Sequence, residues 1–134
     1  MKLLTAGLVV VQDNKLLLTY SNNKKAWYLP GGKIDQGETA REALIREIRE
    51  ELNIDLQPGK IESYKHISAP AYGEDPELIM EQDTFRYNLT EKIQPSHEIV
   101  AVKYFDLEIY KQESAQVPGV LMIFKLLKED GIIL

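Results

Sequence analysis

The segment from residue 29 to residue 55, LPGGKIDQGETAREALIREIREELNID, constrains the fold of this chain more than any other part of it. Its apolar residues recur at helical spacing, and Thr39 followed by Glu42 forms a capping box, which marks the start of a helix. Asn53 stands where the pattern stops, and asparagine tolerates the left-handed conformation that closes helices. The pattern predicts a helix over residues 39–52.

This predicted helix carries three kinds of face at about 100° per residue. The apolar face is expected to pack on the core and consists of Leu44, Ile45, Ile48 and Leu52. The charged face is expected to be exposed to solvent and consists of Glu38, Glu42, Arg46 and Arg49. The third arc places three carboxylates beside two small residues, and it holds Glu47, Glu50, Glu51, Ala40 and Ala43.

The carboxylate arc has two interpretations. Like charges at Glu47 and Glu51 cost an isolated helix ~0.2–0.5 kcal/mol, and a divalent cation would turn that repulsion into attraction. In the alternative, the helix is simply amphipathic, and Arg46 and Arg49 pair with the glutamates. The loop before the helix favours the cation, because Gly31 and Gly32 let the backbone approach a ligand closely. A tight turn after proline remains the alternative for that loop.

Carboxylates together with a backbone carbonyl form a set of hard oxygen ligands, which suits Mg²⁺ or Mn²⁺. The alternating Asp/Asn loop of an EF-hand and the helical histidines of a zinc protease are both missing here. The sequence therefore favours a magnesium or manganese site built from a loop and a helix.

The rest of the chain predicts strands over residues 3–11, 16–20, 26–30, 61–68, 78–89 and 99–107. The first two are expected to pair as a hairpin around a turn at 12–15, and residues 31–38 are expected to form a loop. A second helix is predicted over residues 117–128, with Pro118 in its first turn. This order of elements predicts a single domain over residues 1–134, of the α/β (α+β) class.

Composition limits the possible partners. The chain has 134 residues, 44% of them hydrophobic and 28% charged, as in one soluble globular domain. Its net charge of −5 argues against general nucleic-acid binding, and no apolar run approaches the ~20 residues of a membrane span. The absence of cysteine excludes disulfides and thiolate metal sites and fits a cytoplasmic location.

Residues 32–54 follow a recognisable pattern: Gly32, Glu38, and then REIREELNI from Arg46. This pattern resembles the Nudix box of the Nudix (MutT-like) hydrolases, and the order of strands around it resembles the whole Nudix domain. The family usually has glycine where this chain has Asn53, a departure that removes no carboxylate.

The resemblance implies a Nudix-type α/β/α sandwich with a mixed β-sheet between helices. It also implies hydrolysis of a nucleoside diphosphate linked to another group, with Mg²⁺ or Mn²⁺. The metal ligands it implies are a carbonyl of Gly31 or Gly32 and the carboxylates of Glu47, Glu50 and Glu51. Arg46 would orient a carboxylate through charge-assisted hydrogen bonds, and Glu38 would support the loop and the helix.

A further carboxylate is expected from beyond the box. Glu98, just before the strand IVAVKYF, is our first candidate, although an exposed loop glutamate is the alternative, and Glu81 is weaker. In the implied reaction a water molecule attacks phosphorus and a glutamate accepts its proton. Glu47 is our first choice for that base and Glu50 the second.

The substrate is less constrained. LPGG at 29–32 differs from the PKGH-like loop of diadenosine polyphosphate hydrolases, and the absence of cysteine excludes the zinc-binding, NADH-cleaving branch. A nucleoside triphosphate is therefore the favoured substrate, and ADP-ribose or a nucleotide sugar is the alternative. The candidates for contact with the base are Trp27, Tyr28, Tyr72 and Phe85. A non-catalytic nucleotide sensor and a homodimer both stay open.

Overall fold

A computed structural model describes residues 1–134 and arranges their strands in two four-stranded sheets. The strands are β1 (Lys2–Val9), β2 (Val11–Gln12), β3 (Lys15–Ser21), β4 (Ala26–Tyr28), β5 (Gly31–Lys33), β6 (Glu62–Pro70), β7 (Ile79–Arg86) and β8 (Ile99–Phe105). The helices are α1 (Ala40–Leu52), α2 (Leu107–Tyr110) and α3 (Pro118–Glu129), and a 3₁₀ turn covers Pro58–Lys60. No helix combines the length and the apolar character that crossing a lipid bilayer requires.

The first sheet has the order β5-β1-β7-β6 and is mixed, because β1 and β7 run parallel while the other pairs are antiparallel. In the second, antiparallel sheet β3 pairs with β2, β4 and β8. Helix α1 packs on β1 and β5, and α3 packs on β6. The predicted mixed sheet between helices is therefore confirmed.

Strand β1 separates two cores because its side chains alternate between the faces of the sheet. Ala6 and Leu8 join the core beneath α1, together with Leu44, Ile48 and Phe85 of other elements. Val9 joins the second core, which includes Phe105 and Phe124. Burial on both faces explains why residues 3–11 read as a nearly continuous apolar run.

The structure corrects the predicted hairpin. Strand β1 pairs with β5 and β7, and only residues 11–12 pair with β3. Residues 31–33, predicted as loop, form β5, with Gly7 opposite Gly31. The last predicted strand stops at Phe105, because the Asp106 carboxylate accepts a hydrogen bond from the Ile109 N–H and starts α2 there.

Helix α1 follows its predicted limits closely. The capping box of Thr39 and Glu42 is present in both directions, and Asn53 closes the helix at φ 58°. Leu44, Ile48 and Leu52 are buried as predicted. Ile45 is only partly buried, and Glu51 is buried instead, which places one carboxylate of the third arc inside the protein.

Replacing the capping threonine should weaken α1 and the sheet beneath it. Thr39→Ala leaves the Glu42 N–H without its side-chain acceptor, and we expect the free energy of unfolding to fall by ~1 kcal/mol. Urea denaturation followed by circular dichroism measures this. Thr90→Ala, at an exposed position, is the matched control; equal losses in the two variants would contradict the capping role.

Candidate active site

The two glycines of β5 are required by what lies against them. Gly31 has φ +135°, and a Cβ there would collide with the carbonyl oxygen of Ala6. A Cβ on Gly32 would lie 2.5 Å from the Cδ of Glu47. The glycine segment is therefore more than a turn after proline, because it brings the backbone against a carboxylate of α1.

Glu51 is the buried carboxylate of the site. Its side chain accepts a hydrogen bond of 3.1 Å from the Gly31 N–H, and only 5% of the residue is exposed. Burial raises its pKa to about 8, against the partial compensation of that hydrogen bond, and the like charges of Glu47 and Glu98 add to the rise. An ionised carboxylate in such surroundings needs a cation nearby.

Arg46 connects the loop to the carboxylates of α1. Its guanidinium donates to Glu38 at 2.8 Å and 2.9 Å, to Glu47 at 2.9 Å and to the carbonyl of Lys33 at 3.0 Å. The hydrogen bond from Arg46 lowers the pKa of Glu38 to about 2. Glu50 lies 3.5 Å from the same guanidinium. Through these contacts Arg46 joins Glu38 of the loop to two carboxylates of α1; the roles assigned to Arg46 and Glu38 stay predictions.

The carboxylate and carbonyl oxygens of the site are the ligands that a hard divalent cation prefers, but the carboxylates do not converge on one point. No three Asp, Glu, His or Cys residues lie close enough together to hold a metal ion. Arg46 instead draws Glu47 and Glu50 to itself. Burial raises the pKa of Glu47 as it does that of Glu51, and a cation would relieve the cost of ionising both. Their chemistry therefore fits Mg²⁺ or Mn²⁺.

Glu98, the first candidate for a further ligand, lies at the cleft beside the glycine segment. It lines the same cleft as Gly31, Gly32 and Glu51, and its charge raises the pKa of Glu51. The structure takes Glu81 elsewhere: its carboxylate lies 2.9 Å from Nε2 of His66 and is absent from the cleft. Asp83 contacts the other ring nitrogen at 2.8 Å, so His66 is satisfied by two carboxylates.

The asparagine that departs from the family pattern holds the segment before Glu98 in place. The Asn53 Nδ2 donates to the carbonyl of Gln94 at 2.6 Å and to the Ser96 hydroxyl at 3.3 Å. Ser96 in turn donates from its hydroxyl to the carbonyl of Glu50 at 2.5 Å, and its N–H donates to the carbonyl of Glu51. The end of α1 is thereby tied to residues 94–98, which a glycine could not do.

A cleft of about 320 Å³ opens beside Gly31, Gly32 and Glu51. Two of the predicted base contacts line it: Tyr28 and Tyr72 stand edge to face, with ring centroids 6.3 Å apart. The other two do not. Trp27 packs against Tyr20 and Phe105, on the opposite side of β4 from Tyr28, and Phe85 lies in the core beneath α1.

Sequence reasoning missed several residues of the cleft. Lys24 donates at 2.8 Å to Glu74, and both line the cleft. Two polar residues of its floor, Thr5 and Gln82, were also missed. No spacing links Lys24 to Glu74 in the chain, whereas alternation along β1 and β7 marks Thr5 and Gln82 as sharing one face. A larger groove of about 580 Å³ contains none of the predicted catalytic residues.

Known proteins share both the sequence pattern and the fold. The NUDIX domain profile matches residues 1–122. The CTP pyrophosphohydrolase of Escherichia coli (strain K12) is 38% identical over 56 residues, which is 39% of this chain and 42% of that protein. The chain spans about a third of the length of the first curated relatives it matches.

Two solved structures share the fold at low sequence identity. The MutT protein from Methanosarcina mazei Go1 has a TM-score of 0.76 at 21% identity, covering 97% of this chain and 95% of that one. The second is a bifunctional NMN adenylyltransferase/ADP ribose pyrophosphatase from Francisella tularensis, complexed with AMP and a Mn ion. Its TM-score is 0.72 at 22% identity, covering 97% of this chain and 42% of that one.

Adding a methyl group at Gly32 should displace the Glu47 carboxylate. Gly32→Ala places that methyl 2.5 Å from Cδ of Glu47, and we expect Mn²⁺ affinity to fall by roughly 10- to 100-fold. Titration calorimetry measures it. Gly59→Ala is the matched control, because nothing lies within 4 Å of its added Cβ. Unchanged affinity in Gly32→Ala would separate Glu47 from the metal.

Burial of Glu51 should make the metal-free protein less stable as the pH rises. The pKa of Glu51 is raised from 4.5 to about 8 on folding, so the folded state holds a proton that the unfolded state releases. The contribution of Glu51 to stability is greatest below pH 4.5, falls as the pH rises and levels off above about 8, whereas carboxylates with a lowered pKa, such as Glu38, lose their contribution only as the pH falls below 4.5. Thermal denaturation in EDTA measures this, and Glu51→Gln should reduce the slope. An unchanged slope would contradict the assignment.

Proposed function

The chain belongs to the Nudix family of hydrolases, and we propose that it hydrolyses the pyrophosphate linkage of a nucleoside triphosphate with the help of Mg²⁺ or Mn²⁺. The observation that carries the proposal is the buried Glu51 carboxylate, held by the Gly31 N–H at the edge of a cleft with aromatic walls. Because burial raises the pKa of Glu51 to about 8, its carboxylate form at neutral pH is stabilised when a cation completes the site.

Each residue of the site has a role in this proposal. The metal would be held by a carbonyl of Gly31 or Gly32 and by the carboxylates of Glu47, Glu50, Glu51 and Glu98. When bound, it neutralises the pyrophosphate oxygens and stabilises the charge that develops on phosphorus.

Proton transfer falls to the glutamates of α1. We assign Glu47 as the group that accepts the proton of the attacking water, and Glu50 as the second choice. Glu47 lies against the glycine segment, and Glu50 lies near the Arg46 guanidinium. Arg46 and Glu38 act as positioning residues, since the guanidinium donates hydrogen bonds to Glu38 and to Glu47.

ADP-ribose or a nucleotide sugar is the second candidate substrate. One structural neighbour is named an ADP ribose pyrophosphatase and contains AMP and a Mn ion, whereas the Escherichia coli relative is named a CTP pyrophosphohydrolase. The cleft of about 320 Å³ lies at the small end of ligand pockets, which favours the triphosphate because it carries no second sugar.

A substrate panel tests the proposal. We expect Mg²⁺-dependent turnover of at least one nucleoside triphosphate when dNTPs, 8-oxo-dGTP, ADP-ribose, nucleotide sugars and dinucleoside polyphosphates are assayed by release of phosphate or pyrophosphate, with coupled phosphatase where needed. Turnover restricted to ADP-ribose or nucleotide sugars would replace the triphosphate. A nucleotide-dependent thermal shift without turnover of any substrate would identify a binding module and contradict the proposal.

The carboxylate roles are tested by single amide substitutions. Glu47→Gln should lower kcat by ~10²- to 10⁴-fold, because an amide neither accepts the proton nor binds the cation well. Glu62→Gln, on the exposed part of β6, is the matched control. A Glu47→Gln enzyme with nearly unchanged turnover would rule out Glu47 as an essential base or ligand.

A further inference from the structure

Most of the buried polar side chains are satisfied within the protein. The six buried polar or charged residues are Thr5, Thr19, Ser21, Glu51, Gln82 and Thr84. Four of them have hydrogen bonds: Thr19 with the carbonyl of Tyr28, Ser21 with the Lys24 N–H, Glu51 with the Gly31 N–H, and Thr84 with the backbone of Lys65. Two remain without a partner in the chain.

The two exceptions are neighbours. Thr5 and Gln82 are directly opposite each other in the parallel pairing of β1 with β7, and both line the cleft beside Glu51. Thr5 is 7% exposed and its hydroxyl has no hydrogen-bond partner. Gln82 is 9% exposed, and its carboxamide makes no hydrogen bond within the chain. Leaving the enclosed Thr5 hydroxyl unpaired costs about 1–3 kcal/mol, and the Gln82 carboxamide beside it faces the cleft, where it can bind a partner from outside.

The position of Gln82 is built into the sheet. A Cβ on Gly7 would lie 3.0 Å from both Cδ and Nε2 of Gln82 and 3.1 Å from a methyl group of Leu29. The glycine therefore leaves the carboxamide room to lie over β1. A larger residue at position 7 would have to displace the carboxamide by a few tenths of an ångström.

The surroundings indicate what kind of partner fits. Apolar side chains of Leu3, Leu29 and Met80 line the cleft together with the rings of Tyr28 and Tyr72. A carboxamide and a hydroxyl are neutral, and each offers both a donor and an acceptor. A flat, neutral group with donors and acceptors along one edge matches these two side chains, whereas a phosphate is better suited to the cations of the cleft, Lys24 and Lys33.

We propose that Gln82 and Thr5 read the hydrogen-bonding edge of the substrate's nucleobase and so determine which base is accepted. The proposal rests on the proposed function, since it places the pyrophosphate at Gly31 and Glu51 and the base on the floor beside the tyrosines. Gln82 contacts the base through its carboxamide, Thr5 adds a hydroxyl beside it, and Gly7 is a positioning residue.

The first test changes what Gln82 can donate. Gln82→Glu presents two acceptors, which suit the N1–H and N2–H donors of guanine and oppose the acceptor nitrogen on the pairing edges of adenine and cytosine. The ratio of kcat/KM for GTP to that for ATP or CTP should rise by at least ~10-fold relative to the original enzyme. Gln112→Glu makes the same charge change at an exposed position and should leave the ratio unaltered.

The second test separates reading a base from a structural role. Thr5→Val removes an unpartnered hydroxyl at constant shape, so the free protein should melt at a higher temperature. The same change should raise KM for the accepted nucleotide by ~3- to 10-fold with kcat nearly unchanged. Raised stability with unchanged KM would mean that the hydroxyl meets only a buried water molecule or nothing, and would overturn the role of Thr5.

Binding of nucleoside monophosphates keeps the inference independent of turnover. AMP, GMP, CMP and UMP are titrated against the original protein and Gln82→Glu in thermal-shift and calorimetric assays without metal. A changed order of base preference in a protein that hydrolyses nothing would support the base-reading floor while the proposed function failed. Hydrolysis with the same base preference in Gln82→Glu, Gln112→Glu and the original protein would overturn the inference while the proposed function stood.

Discussion

The arrangement of the site depends on one buried contact, between the Glu51 carboxylate and the N–H of Gly31. It fixes the depth at which α1 lies against β5, and therefore which residues of α1 can reach the glycine segment. A carboxylate that is 5% exposed has lost most of its hydration, and a single backbone donor compensates only part of that loss. A divalent cation bound beside Glu51 would offset this loss of hydration.

The neighbouring charges keep the remaining carboxylates near that point. Arg46 holds Glu38 and Glu47 by hydrogen bonds shorter than 3 Å and so connects the loop before α1 to the helix. At the other end, Asn53 ties the end of α1 to residues 94–96 and so carries Glu98 to the cleft. The position of this loop glutamate therefore depends on the end of α1.

Much of the helix and of the carboxylate set could be predicted, because both depend on local spacing. The capping box, the end at Asn53 and the apolar stripe of Leu44 and Ile48 are fixed within four or five residues of chain. The pairing of β1 could not be predicted in the same way. Its partners are β5 and β7, and a buried apolar run carries no mark that distinguishes a hairpin partner from a distant parallel strand. Alternation along β4 also separates Trp27 from Tyr28, which a list of aromatic residues cannot do.

The sequence by itself determined the loop–helix segment, the residue types that suit a hard cation and the family to which the chain belongs. These properties are local, because helix periodicity and the order of residues 32–54 place them without reference to the rest of the chain. Only the tertiary structure decided that Glu51 is buried and Glu50 exposed, that Glu98 joins the site and Glu81 does not, and that Thr5 and Gln82 meet on the floor of the cleft. The reason is physical: burial and unpaired hydrogen bonds are properties of surfaces that strands far apart in the chain create by packing together.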